Sequence, residues 1–239
     1  MNHDIAIQLT HVSKKYELHH EKPTLVEKFV KGKNETFWAL EDITLTIKRG
    51  ERVGIIGPNG SGKTTLLKII SGITTPTTGS TVTIGKVVSL IDLEAGFHAD
   101  LTGIQNIYLN GMVLGMSKQR ITEQLQSIIR FAGIRQFIDA PLFTYSDGMK
   151  LRLGFSIAVH ANPDILILDE NIGVGDNAFQ RKSEKKIRQF AKKGKTILVV
   201  SQVVPFLQHN CSRILYVKRG MVQKDGPKTI LREYQRGII

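Results

Sequence analysis

Residues 57–64 read Gly-Pro-Asn-Gly-Ser-Gly-Lys-Thr, and no other eight residues of this chain constrain its fold as tightly. The run 52–56 before them is apolar and β-branched, and the run after them follows a helical pattern, so the loop joins a strand to a helix. Glycines at 57, 60 and 62 let the backbone curl around an anion without Cβ clashes. Successive N–H groups then point inward, and the helix N-terminus adds partial positive charge. Lys63 reaches the outer phosphates of a nucleotide, and the Thr64 hydroxyl is placed to ligate Mg²⁺. With glycine near 7% of average residues, a chance match of the four fixed positions is on the order of 1%.

The rest of the chain supplies a sheet for that loop. Segments 5–9 and 43–47 alternate apolar with other residues and predict an antiparallel opening. Runs at 52–56, 86–93, 165–169, 196–201 and 213–217 predict strands of a mostly parallel sheet. Helices are expected at 62–71, 117–132, 146–161, 179–193 and 228–236. Between the first two strands, Thr24 and Glu27 have capping-box spacing, and Leu25, Val26, Phe29 and Val30 share a face. A short amphipathic helix is expected there, with a simple cover for the sheet edge as the alternative to a functional role. At 165–170 a buried strand ends in Asp169 and Glu170; ligands of open α/β sheets sit beyond such strand ends. Asp169 suits holding the metal through water, and Glu170 suits orienting and deprotonating an attacking water.

Composition bounds the setting. The 239 residues suggest one large domain, and a single cysteine, Cys211, allows no internal disulfide. No charged-apolar-small leader opens the chain and no stretch reaches the roughly 18–20 apolar residues of a membrane span. A reducing, cytoplasmic setting is expected. The net charge of +12 draws nucleic acid, nucleotide phosphates or an anionic membrane face, without choosing among them.

Tyr145-Ser146-Asp147-Gly148-Met149, with Arg152 and the helical run 153–159, lies between the phosphate loop and the acidic strand end. With these residues the chain resembles the nucleotide-binding subunits of ABC transporters over essentially its whole length. The segments 94–98, 101–103, 106–111, 174–176 and 178–180 narrow the resemblance to ATPases that export O-antigen polysaccharides and wall teichoic acids. The resemblance implies an ABC-type α/β fold: a mostly parallel sheet core, an antiparallel β subdomain and a helical subdomain. It implies one domain over 1–239, with the helical part at about 99–160 and an insertion at about 18–37 facing the membrane side. It further implies ATP and Mg²⁺ as ligands, and two ATP molecules sandwiched in a head-to-tail homodimer. Gly57, Pro58, Asn59, Gly60, Ser61, Gly62, Lys63, Thr64 and Thr65 would form the phosphate loop. Ser146 and Gly148 would contact the γ-phosphate held by the opposite subunit, and Asp176 would link the subunits. Thr64 and Asp169 would hold the metal, with Lys63, Glu170 and position 202 serving catalysis. Adenine would stack on Tyr16, with Trp38 as the alternative and a core aromatic as the bland reading of either. Asp92 and Glu94 occupy the region of the family's glutamine loop.

Two positions depart from the family pattern. Gln202 stands where the family has a histidine; an amide donates a hydrogen bond but carries no proton near neutral pH, so slow hydrolysis is expected. Asp147 stands where a small neutral residue is usual, and a carboxylate beside a partner's phosphate must turn to the cap or to solvent. A dense basic run, Arg181 to Lys195, reads as a solvated face, as a site for anionic headgroups or a polyanionic substrate near the membrane, or as a nucleic-acid surface. The resemblance implies a peripheral ATPase at the cytoplasmic face of the bacterial inner membrane, coupled to a polytopic membrane subunit and needing no specific nucleic acid. The alternatives are a soluble ABC-type ATPase acting on nucleic acid and a nucleotide-gated module with little hydrolysis. Some related ATPases carry a carbohydrate-binding domain after this point, so the glycan is expected to be recognised elsewhere.

Overall fold

A computed structural model describes residues 4–18, 35–91, 96–169 and 177–239. The expected helix at 24–31, Asp92, Glu94, Glu170 and the 174–176 segment with Asp176 lie outside the described residues.

Two long strands, β1 (Ile5–Leu18) and β2 (Glu35–Lys48), pair antiparallel. Their buried sets change parity, from Ile7 and Leu9 to Val12 in β1 and from Leu40 to Ile43 in β2. Register shifts absorb the extra residues, and His11 and Asp42 take left-handed φ of 49° and 48°. Bulges of this kind keep one face of a long strand on the core. The Nδ1 of His11 lies 2.7 Å from Oδ1 of Asp42, tying the two irregularities together. Strand β4 (Thr78–Thr83) completes a three-stranded sheet of order β2-β1-β4.

The second sheet contains β3 (Arg52–Ile56), β5 (Val87–Ser89), β6 (Ile165–Leu168), β7 (Thr196–Val200), β8 (Arg213–Lys218) and β9 (Met221–Pro227). Its order is β5-β6-β7-β3-β8-β9, parallel except for the antiparallel edge strand β9. Successive side chains of a strand point to opposite faces, and here both faces are covered. Leu166 and Leu168, Ile197 and Val199, and Ile214 and Tyr216 enter one core. Ile165 and Ile167, Leu198 and Val200, and Leu215 and Val217 enter the other, with the antiparallel sheet and helix α1 (Lys63–Ile70).

Helices α2 (Gly103–Val113), α3 (Lys118–Ala132) and α4 (Asp147–His160) follow one another and supply much of the first core. Helices α5 (Asn177–Lys192), α6 (Val204–Asn210) and α7 (Ile230–Gln235) complete the described α-helices. A capping box between Thr102 and Gln105 starts α2, Ser117 caps α3, and Ser146 caps α4. Within the strand expected at 86–93, the described residues Val87–Ser89 pair with β6, while 92 and 93 lie outside the described residues. Elements α2, α6, β4 and β9 have no counterpart in the expectations from sequence.

Candidate functional site

Three parallel neighbours, β6, β7 and β3, end at one edge of the large sheet. The registers Ile55 with Val200 and Leu168 with Val199 put Asp169 level with Val200 and Ile55. The phosphate loop, Asp169 and Gln202 therefore leave the same sheet edge, although Gly57 and Gln202 lie 145 positions apart in the chain.

The loop glycines are required by space as well as by conformation. A Cβ on Gly57 (φ 147°) would stand 1.9 Å from the Val217 carbonyl oxygen, and one on Gly62 (φ 102°) 2.4 Å from that of Ala39. Lys63 is 8% exposed, and its Nζ donates to the carbonyls of Gly57 at 2.9 Å and Pro58 at 2.8 Å. The ammonium thus lies within the curl of the loop. Gly220 N–H donates to the Ser61 carbonyl at 3.0 Å, fastening the loop to the turn between β8 and β9. The Ser61 hydroxyl is buried and has no partner among the described residues.

Over the loop lies a cleft of about 380 Å³, lined by Asn59, Gly60, Ser61, Gly62, Lys63, Thr64, Thr65, Asp169 and Val200. Its other wall comes from the antiparallel sheet, through Tyr16, Phe37, Trp38 and Ala39. The rings of Tyr16 and Phe37 stack with centroids 5.7 Å apart, while Phe37 and Trp38 are each 45% exposed. Exposed rings beside an anion cradle offer a π-face to a planar base. Both sequence candidates for adenine stacking, Tyr16 and Trp38, line this wall. Phe37 was missed, and its signal was its place opposite Tyr16 in the strand pair.

Gln202 is exposed, and its Nε2 donates to Oδ1 of Asn59 at 3.1 Å, which brings position 202 onto the phosphate loop. Ser146 and Gly148 do not line the cleft; they open α4, where the Ser146 hydroxyl accepts from Met149 N–H at 3.3 Å. The Asp147 side chain is 96% exposed and pairs with Lys150 at 3.4 Å, so it turns to solvent. Thr64 and Asp169 line one cleft and offer a hydroxyl and a carboxylate, the hard oxygen donors Mg²⁺ takes beside water and phosphate oxygens. The strongly shifted thiol lies elsewhere: burial pushes Cys211 up to about 12. Asp164, before β6, is held below the usual carboxylate range by the Lys86 backbone N–H and the Lys195 ammonium.

A phosphate loop springing from a central parallel strand, under an aromatic wall, defines a phosphate-loop nucleotide-binding protein. Residues 40–173 match the ABC transporter family. The chain is 40% identical to the O-antigen export system ATP-binding protein RfbB of Klebsiella pneumoniae, over 98% of both chains. It is 41% identical to the teichoic acids export ATP-binding protein TagH of Listeria innocua, over 100% of this chain and 72% of that protein. Two further relatives are longer, and the chain spans 66% and 46% of their length. A dimeric structure of the ATP-binding cassette MJ0796 in a post-hydrolysis state with ADP and Pi superposes with TM-score 0.76 at 23% identity, over 93% of this chain and 98% of that one. The chain belongs to the ABC transporter family. That membership bears out the resemblance and the fold class read from the sequence.

Proposed function

We propose that this chain is the ATP-binding and ATP-hydrolysing subunit of an exporter that moves a lipid-linked polysaccharide, of O-antigen or teichoic acid type, across the cytoplasmic membrane. The observation that carries the nucleotide part is the cleft itself, where a glycine-built anion cradle with Lys63 at its centre faces the half-buried ring of Tyr16 and the exposed rings of Phe37 and Trp38. The export part rests on relatives whose names state that role, one matched over 98% of both chains.

On this reading the N–H groups of 57–65 and the Lys63 ammonium hold the β- and γ-phosphates, and the base lies against Tyr16 or Trp38. Thr64 and Asp169 hold Mg²⁺, which when bound neutralises charge on the phosphate oxygens. Glu170 orients and deprotonates the attacking water. Gln202 donates a hydrogen bond toward the γ-phosphate yet offers no titrating group, so turnover is slow. Ser146 and Gly148 complete the site of a second copy, with Asp176 at the seam. Energy reaches the cargo through a polytopic membrane subunit. No helix among the described residues is long and apolar enough to cross a membrane, which fits a peripheral position at the cytoplasmic face.

The test is purification of the tagged chain from detergent-solubilised membranes of its own cells, followed by phosphate release with Mg-ATP. Recovery of a polytopic membrane protein with ATP hydrolysis supports the exporter. Recovery of ribosomes or nucleic acid in its place overturns it.

A further inference from the structure

The nucleotide cleft makes no use of α5. That helix carries six basic side chains and one acidic, Glu184. Its buried positions, Phe179, Ser183, Ile187 and Phe190, form one face. Arg181, Lys185, Arg188 and Lys192 recur at i, i+4, i+7 and i+11, and all four are exposed. At 3.6 residues per turn they make a straight row opposite the buried face, about 16 Å long at 1.5 Å per residue. Among the described residues, only Arg188 in that row has an acidic partner, Glu184 at 3.7 Å.

The basic surface continues sideways. Nζ of Lys182 donates to the carbonyls of Arg130 and Phe131 at 3.1 and 2.8 Å, which sets the end of α3 against α5. There Gln126, Arg130, Arg135 and Gln136 line a hollow of about 780 Å³. Guanidinium forks and carboxamides are the donors that recognise phosphate oxygens and hydroxyls.

We propose that this face binds a linear, base-free phosphodiester polymer; the inference rests on the exporter reading, and makes its cargo phosphate-bearing rather than neutral. A row of cations on a rigid helix matches a chain that repeats its charge along one line. A membrane surface fits less well, because the apolar side of α5 is spent on the core and no apolar side chain stands in the row. A nucleic acid fits less well too, since neither the row nor the hollow lining contains an aromatic ring on which bases could stack. Phe137, the exposed ring of the adjacent turn, is not part of the lining.

The experiment measures binding of fluorescent polyglycerol phosphate to the full chain across a salt series. Four contacts at roughly 0.7 each predict a slope of log affinity against log salt of about −3. The variant Arg181→Gln/Lys185→Gln/Arg188→Gln/Lys192→Gln should lose at least tenfold in affinity while keeping the parent's melting temperature and ATP affinity. Should that variant not fold, Arg181→Gln/Lys185→Gln and Arg188→Gln/Lys192→Gln taken separately should each halve the slope. Dextran, phosphatidylglycerol vesicles and a single-stranded DNA homopolymer are the other arms. The proposal is overturned by unchanged binding in the variants, by dextran binding equally, by vesicles binding where the polymer does not, or by DNA binding tenfold tighter. Recovery of the membrane subunit is a separate readout, so the exporter reading and this inference can fail independently.

Discussion

Gly148 gives the sharpest test of whether two copies share the nucleotide. It is the second residue of α4, and a Cβ built there meets nothing within 4 Å. No left-handed φ requires glycine at this position. Within one chain, Gly148→Ala should therefore help: alanine is favoured over glycine in a helix by about 0.8–1 kcal/mol, less in the first turn, so about 0.5 kcal/mol is expected. For a chain of this size, at roughly 2–4 °C per kcal/mol, the melting temperature should rise by about 1–2 °C. On the proposed head-to-tail arrangement the same methyl enters the space where the partner's triphosphate meets the helix N-terminus. Sedimentation with a nonhydrolysable ATP analogue and Mg²⁺ should then show dimerisation weakened at least tenfold. Turnover should fall with it, while binding of a fluorescent ATP analogue to the monomer stays unchanged. A variant that dimerises and hydrolyses like the parent would refute the trans contact, and a lowered melting temperature would refute the reading of the open space.

Other consequences are equally direct. Gln202→His places an imidazole beside Asn59 and should raise kcat by about 10²-fold, the lower end for a positioned proton-transfer group, while adding a pH dependence in the imidazole range; an unchanged rate with a flat profile from pH 6 to about 8 contradicts the role of position 202. Gly57→Ala must displace backbone at the Val217 carbonyl, whereas Gly60→Ala meets open space and bears only left-handed strain of about 1–2 kcal/mol. Urea melts and nucleotide titration should rank Gly57→Ala as the more damaging, and the reverse order would be inconsistent with the packing around β8. Asp164 has a folded pKa below its unfolded value, so its contribution is present above the unfolded pKa, near 4, and lost as pH falls through the folded one. Asp164→Asn should accordingly be less stable than the parent at neutral pH, with the gap closing in acid; a gap that widens in acid would reverse the sign.

What was legible in the sequence follows from how local each signal is. The phosphate loop announces itself because glycine, lysine and threonine act within eight consecutive residues. Its aromatic wall does not, since Phe37 meets Tyr16 only through a register that shifts four times along the β1–β2 pair. Helix α2 shows a different failure. Gly103, Asn106, Ile107, Asn110 and Gly111 are its buried residues, at i, i+3, i+4, i+7 and i+8, which is helical spacing. Four of those five are glycine or asparagine, so a search for apolar periodicity passes over them. The core accepts them for physical reasons. The Asn106 side chain accepts from His98 N–H and donates to the carbonyls of His98, Leu101 and Thr102, clamping the loop before the helix. A Cβ on Gly111 would stand 2.9 Å from Cδ1 of Ile121, so a side chain there would push on Ile121 where α2 meets α3. Strands β4 and β9 were missed because they are edges with largely exposed, polar side chains, where pairing leaves no apolar alternation. The same locality explains the site. Apolar runs predict strands that lead into Gly57, Asp169 and Gln202, but only the order β6-β7-β3 makes their ends neighbours, and that order is set by which apolar faces fill the two cores. A residue that disturbs those cores, such as a polar group at Leu198 between β6 and β3, would separate the proposed catalytic positions without touching any of them.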